Sequence, residues 1–143
     1  MQNNEVIHFI PFNPVEKRTV ATLKTQSGEI FHTCKGAPQV ILKMAHDADA
    51  RREEVNRSID EFATRGYRAL GVGKSVSGDV PMEERVWEMV GVLPLYDPPR
   101  ADTAATIRAA QDMGIRVKMI TGDQLAIAKE TARQLGISTN IHV

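Results

Sequence analysis

Two adjacent prolines, Pro98 and Pro99, sit inside YDPPRADT at residues 96–103. A proline fixes its own φ, lacks an N–H donor and pushes the residue before it out of the helical region. No helix or sheet interior therefore runs through this point, and the texture of the chain differs on its two sides. Before it, EVIHFIPF (5–12) alternates and reads as a strand ending at Pro11. KRTVATLKT, the turn QSGE and IFHTCK read as a β-hairpin over 17–35. APQVILKMA (37–45) predicts a short helix with Pro38 in its first turn. DARREEVNRSIDEFATRG (49–66) predicts a longer one, with Val55, Ile59, Phe62 and Ala63 on one face and Gly66 at its stop. YRALGVGKSV and VWEMVGVLPL read as two further strands around the loop SGDVPMEE.

After the prolines come the helix TAATIRAAQDM stopped at Gly114, the strand IRVKMI (115–120), the turn Thr121-Gly122-Asp123, and the helix QLAIAKETARQL stopped at Gly136. Strand and helix alternating through short connections is a parallel βαβ pattern. The expected fold class is thus α/β. Residues 1–92 form a mostly antiparallel sheet with flanking helices, and 93–143 a hinge strap and a partial βαβα segment, with the boundary near Leu93–Arg100.

The totals exclude several function classes. Eighteen basic residues balance eighteen acidic ones, which gives a nucleic-acid partner no electrostatic support. No run approaches the ~20 apolar residues of a membrane span, and the N-terminus lacks a signal-peptide core, so a soluble, cytosolic segment is expected. Cys34 is the only cysteine, and His8, His32, His46 and His142 show no metal-ligand spacing.

Two stretches imitate functional motifs. RALGVGKSVSG (68–78) has Gly73-Lys74-Ser75 in the order of a phosphate-binding loop, but Arg68 stands where the first glycine belongs and no helix follows. Val76 likewise breaks a dinucleotide fingerprint, so the glycines are expected to serve close packing. DADAR (47–51) has the spacing of a phosphatase nucleophile but lies beside a helix, with Arg51 where Thr or Val belongs.

Three other stretches can carry chemistry. Thr121-Gly122-Asp123 stands where a buried strand meets a helix, so free N–H groups and the helix dipole favour an anion there; the alternative is a plain cap with Asp123 as N-cap. In FHTCKGAP, Lys35 leaves a strand beside Gly36, placed to meet a phosphate or a purine edge, or simply solvent. In PFNPVEKRT, Phe12 lies between prolines as a stacking platform or a core residue, with Lys17 and Arg18 close by.

Taken together, PFNPVEKRT, KGAPQVIL, GYRALGVGK, VGVLPLYDPPR and VKMITGDQLAIAKET resemble the P-type ATPases in the same order, over about residues 5–140. The wording is most similar to the plasma-membrane proton pumps. KGAP, DPPR and TGD mark the superfamily; MITGDQLAIAKET and FNPVEKRT are closer to the proton-pump branch.

The resemblance implies a nucleotide-binding domain over 1–92, incomplete at its N-terminus, and a hinge with part of a haloacid-dehalogenase-like phosphorylation domain over 93–143. It implies that Phe12 stacks on adenine, that Lys17 lies near the nucleotide, and that Lys35 beside Gly36 lines the adenine pocket. It implies that Arg68 reaches the phosphates, that Asp97 and Arg100 belong to a hinge that docks ATP, and that Thr121, Gly122 and Asp123 flank the phosphorylated aspartate. Asn13 stands where relatives often carry Asp, which removes a charge near the ATP.

The nucleophile motif Asp-Lys-Thr-Gly-Thr and the downstream Gly-Asp-Gly-x-Asn-Asp are absent from the sequence. The chain therefore reads as a piece of a pump's cytoplasmic loop, at the cytoplasmic face of a plasma membrane. Expected partners are ATP or ADP, with Mg²⁺ arriving on the nucleotide and no protein ligands for it, and the pump's membrane, actuator and remaining phosphorylation domains. Open sheet edges also admit dimers or domain swapping. Alternative readings are a binding or regulatory module without nucleotide, and a small phosphatase of the dehalogenase class, which lacks its nucleophile here.

Overall fold

The computed structural model describes residues 4–141; His142 lies outside them. Five strands, β1 (Glu5–Asn13), β2 (Arg18–Lys24), β3 (Ile30–Gly36), β4 (Arg68–Ser75) and β5 (Trp87–Leu95), form one sheet in sequence order. The helices are α1 (Pro38–Met44), α2 (Ala48–Thr64), α3 (Thr103–Asp112) and α4 (Leu125–Leu135). The described chain divides into two compact units: residues 4–59 with 69–93, and residues 60–68 with 94–141.

The first unit is built on the expected hairpin. β2 and β3 pair antiparallel from Arg18↔Gly36 to Lys24↔Ile30. The turn between them closes by Gly28 N–H to the Thr25 carbonyl, with Gly28 at φ 88°. β1 pairs antiparallel on one side and β4 on the other. β1 runs past Pro11 to Asn13. An edge strand tolerates a proline whose missing N–H faces away from the ladder, and the register shifts between Ile10 and Asn13.

One face of this sheet carries the core. Val20, Cys34, Ile41, Leu42, Ala45, Val55, Ile59, Trp87 and Met89 form one buried cluster. Ile41 of α1 is fully buried, and its seat is made of glycine. A Cβ on Gly71 would lie 2.8 Å from the Pro38 Cα, and one on Gly73 would lie 3.0 Å from an Ile41 methyl and 2.9 Å from the Cys34 sulfur. The glycines of ALGVGK thus let the helix approach the sheet. Lys74 projects from the opposite face, its ammonium 5.2 Å from the Phe31 ring centre. DADAR has a structural use as well: the Asp47 carboxylate accepts the Met89 N–H at 3.1 Å, and His46 N–H donates to the Trp87 carbonyl at 2.8 Å, pinning β5 to the start of α2.

Two buried groups on the covered face are titratable. Burial pushes the Cys34 thiol up to about 11. His32 is 1% exposed; its Nδ1 lies 3.0 Å from the Thr22 hydroxyl and its Nε2 3.5 Å from an Asp79 carboxylate oxygen. Burial, and then the charge of Arg85, lower its pKa, outweighing Asp79.

In the second unit α3 and α4 pack through Ile107, Ile127, Ala128, Ala132 and Leu135, all buried. The helix stops expected at Gly66, Gly114 and Gly136 all have left-handed φ, between 69° and 80°. The strand expected over Ile115–Ile120 does not form: residues 115–120 carry no strand pairing. A parallel strand exists only through a neighbour's backbone, and among the described residues none pairs with it. Ile115, Val117 and Met119 instead line a groove of about 840 Å³ together with Ala132, Ile137 and Ile141.

Gly36→Ala would drive a methyl into the Lys17 carbonyl oxygen and place it 2.8 Å from the Arg18 Cα. It is expected to lower stability by about 1–3 kcal/mol, read as an earlier urea midpoint; an unchanged midpoint contradicts this close approach of the two backbones. For His32, the folded state resists protonation, so its contribution is intact above the unfolded value of 6.5 and is lost as pH falls through the depressed folded value. Urea midpoints should decline below about pH 6.5, and His32→Gln should flatten that decline; parallel curves for the two proteins rule the effect out.

Candidate functional site

In the first unit the groups of interest are placed by a single backbone crossing. Asn13 ends β1, and its side-chain oxygen accepts the Val15 N–H at 2.8 Å. Such a side-chain turn starts a reversal, which closes by Lys17 N–H to the Asn13 carbonyl at 2.6 Å. Lys17 adopts φ 53°, the one non-glycine left-handed residue among those described. Its carbonyl then accepts the Ala37 N–H at 3.1 Å, directly over Gly36. A side chain at 36 would exclude that carbonyl, so the glycine beside Lys35 holds the Lys17 turn against the end of β3. Asn13 serves this turn through an oxygen that Asp would also supply.

Lys35 is exposed and pairs with Thr19 on β2 and with Val72 on β4. Side chains alternate across a strand, so Thr19, Lys35 and Val72 share the face opposite Val20, Cys34 and Gly73. Thr19 and Val72 were not among the expected site residues, since only the register brings them beside Lys35. Phe12 lies in the irregular stretch between the Ile10↔Val20 and Asn13↔Arg18 pairs, and the residue is 61% exposed. It is therefore a surface aromatic and not a core residue. Among the described residues no carboxylate pairs with Lys17 or Lys35, whereas Arg18 pairs with Glu16 at 3.2 Å.

The second unit brings Arg68, Asp97, Thr121 and Asp123 together. Arg68 donates from Nε to Asp123 Oδ1 at 2.9 Å and from Nη2 to Oδ2 at 3.2 Å. Its Nη1 faces Asp97 Oδ2 at 3.7 Å. The Thr121 hydroxyl donates to Asp123 Oδ2 at 3.2 Å and accepts the Asp123 N–H at 3.1 Å. Nearby, Tyr67 and Tyr96 meet edge to face at 5.2 Å, and the Tyr96 hydroxyl reaches Gln134 at 3.3 Å.

Asp123 is not the N-cap of α4. That position is Gln124, with no side-chain cap bond, and the Asp123 carboxylate is turned to Arg68. Gly122 is exposed, with nothing within 4 Å of where a Cβ would stand. Arg100 is exposed; its carbonyl accepts the Thr103 N–H, and among the described residues it has no ion-pair partner. The Arg68 hydrogen bonds hold the Asp123 carboxyl below its ordinary value, helped by Thr121, and Asp123 in turn raises Arg68. Among the described residues no group of three or more His, Cys, Asp or Glu side chains is arranged to hold a metal ion. No helix among them is long and apolar enough to cross a membrane.

The pattern of the haloacid dehalogenase-like hydrolases matches residues 13–142, and the chain belongs to that family. It is also 52% identical over 138 residues to a protein named "Probable plasma membrane ATPase" from Dictyostelium discoideum. That likeness covers 96% of this chain and 13% of the relative's length. The resemblance to P-type ATPases read from the motifs is thereby shown.

Because its pKa is depressed, the pairing of Asp123 is present above the unfolded carboxylate value and is lost as pH falls through the lower folded value. A carboxyl-carbon NMR titration should put Asp123 below the ordinary ~3.9 of an aspartate. Arg68→Ala should return it to that value; a midpoint that does not move would show that Arg68 is not the cause.

Proposed function

We propose that this chain is the nucleotide-holding stretch and hinge of a P-type ATPase of the proton-exporting, plasma-membrane kind. On this reading residues 1–92 belong to the nucleotide-binding domain and 93–143 to the hinge and part of the phosphorylation domain. The observation that carries it is the crossing at Gly36, which brings the backbones of Lys17 and Lys35 together, both without carboxylate partners among the described residues, at the strand ends of a sheet whose edge exposes Phe12.

The fit to an adenine nucleotide is chemical. An exposed ring offers a stacking surface, and two lysines offer charge to phosphate or polar contact to a purine edge. Phe12, Lys17, Lys35 and Gly36 are assigned to the base side. Arg68, Thr121, Gly122 and Asp123 are assigned to phosphate recognition, with Asp97 and Arg100 in the hinge. The bare space beside Gly122 suits the approach of an anion to the backbone. On this reading Mg²⁺ arrives on the nucleotide.

Phosphoryl transfer needs a nucleophile in line with the terminal phosphate. The aspartate motif that would provide it is not in this sequence, so the chain by itself is assigned binding and positioning without hydrolysis. Its partners are then ATP or ADP and the rest of the pump, at the cytoplasmic side of the plasma membrane.

Titration of the ¹⁵N-labelled chain with adenosine and with ATP should shift signals at Phe12 and Lys35. Phe12→Ala should weaken both ligands about five-fold or more. Lys35→Ala should weaken ATP with the spectrum otherwise preserved. Affinities equal to those of the parent chain sink the proposal, and silence near Phe12 at millimolar nucleotide favours a binding module that takes none.

A further inference from the structure

The loop Val76–Val86 joins β4 to β5. Its neck is closed by Val76 N–H to the Val86 carbonyl at 2.9 Å and by Val86 N–H to the Ser77 hydroxyl at 3.0 Å. Beyond the neck, Met82 packs against the core cluster, and Arg85 Nε donates to the Val80 carbonyl at 3.0 Å. Under this loop sits His32. Its Nε2 is sealed from solvent without a hydrogen-bond partner, and the Asp79 carboxylate stands off at 3.5 Å. A buried polar nitrogen left unpaired is uncommon and costly.

The groups around the ring come from the sheet and from the loop. His8 of β1, Thr22 of β2 and His32 lie on one row across three strands. His8 is exposed, and the Thr22 hydroxyl meets His32 Nδ1 at 3.0 Å. Cys34, on the same face of β3, holds its proton, and the Ser75 hydroxyl of β4 is turned to Ser77. The loop brings the Gly78 carbonyl, Asp79 and Arg85. With the ring neutral, one carboxylate answers one guanidinium. A proton on the ring sets two cations against that single carboxylate, itself 61% exposed, in a place closed to water. Burying a charge without full pairing is costly.

We propose that the loop Val76–Val86 is an acid-released flap: it lies on the sheet over a neutral His32, and protonation of that imidazole lifts it while the five-stranded sheet stays folded. The loop yields first because a few bonds hold it, whereas His32 stands in a strand laddered to its neighbour along its whole length. Burial, ahead of Arg85, lowers the His32 pKa against the pull of Asp79, which is the direction such a flap requires. Closure is therefore complete above the open-state value of 6.5 and is lost as pH falls through the depressed closed-state value.

Amide hydrogen exchange of the full chain, scaled to intrinsic rates, tests this at Val76 and Val86. Below about pH 6.5 their exchange should quicken up to about tenfold per pH unit, the response to one proton taken up on opening. It should also stay indifferent to low urea, whereas exchange of the β2–β3 ladder amides rises with urea. His32→Gln should remove the acid response. Arg85→Gln should raise the midpoint of the His32 ring titration, followed by carbon-13 NMR, and Asp79→Asn should lower it; these two variants keep the native histidine and decide the matter even where His32→Gln does not fold. The flap is overturned if the loop amides follow urea together with the ladder, if the acid response survives His32→Gln, or if the two charge variants fail to move the midpoint in opposite directions.

Discussion

The first unit depends on rungs of its sheet in which glycine stands where a side chain would collide. Gly36 pairs with Gly71, and Cys34 with Gly73. A Cβ at any of the three glycines would come within 3.0 Å of another residue's atoms. At 71 and 73 the space is taken by α1 and the Cys34 sulfur; at 36 it is taken by the Lys17 backbone. Protein interiors pack to near-crystal density, so a gap of one methyl is filled by something. Here it is filled by the helix that completes the core and by the turn that sets the two lysines. Stability and site geometry rest on the same few missing methyl groups.

Much of the fold could be read from residue patterns because the signals are local. The hairpin declared itself through QSGE between alternating runs, and the helices through 3.6-residue spacing closed by Gly66, Gly114 and Gly136. The departures are non-local. β1 continues past Pro11 because its edge position leaves no ladder bond for proline to break. Residues 115–120 have a strand's composition, but strand structure is a property of a pair of backbones, and the second backbone is missing among the described residues. Asp123 has every local mark of an N-cap, yet its carboxylate goes to an arginine 55 positions earlier.

The same distinction governs the candidate site. Lys35 and Phe12 could be picked out because each stands in a short motif with an unusual backbone nearby. Thr19 and Val72 have no such motif, and only the strand register puts them on the Lys35 face. For Arg68, the sequence points to a phosphate role by resemblance alone. The geometry adds that its guanidinium is already committed on one side, that its chain neighbour Tyr67 packs edge to face on Tyr96, and that the loop of Thr121 supplies the brace.

Cys34 lies sealed beneath α1, its thiol pushed up to about 11 by burial. Thiolate is the reactive form, so at neutral pH the native sulfur is nearly inert toward alkylating dyes. The chain is in practice cysteine-silent without mutation. A single cysteine installed at an exposed position, such as Val15 in the Lys17 turn, would carry a fluorophore or spin label uniquely and report on that turn with the core sulfur left in place.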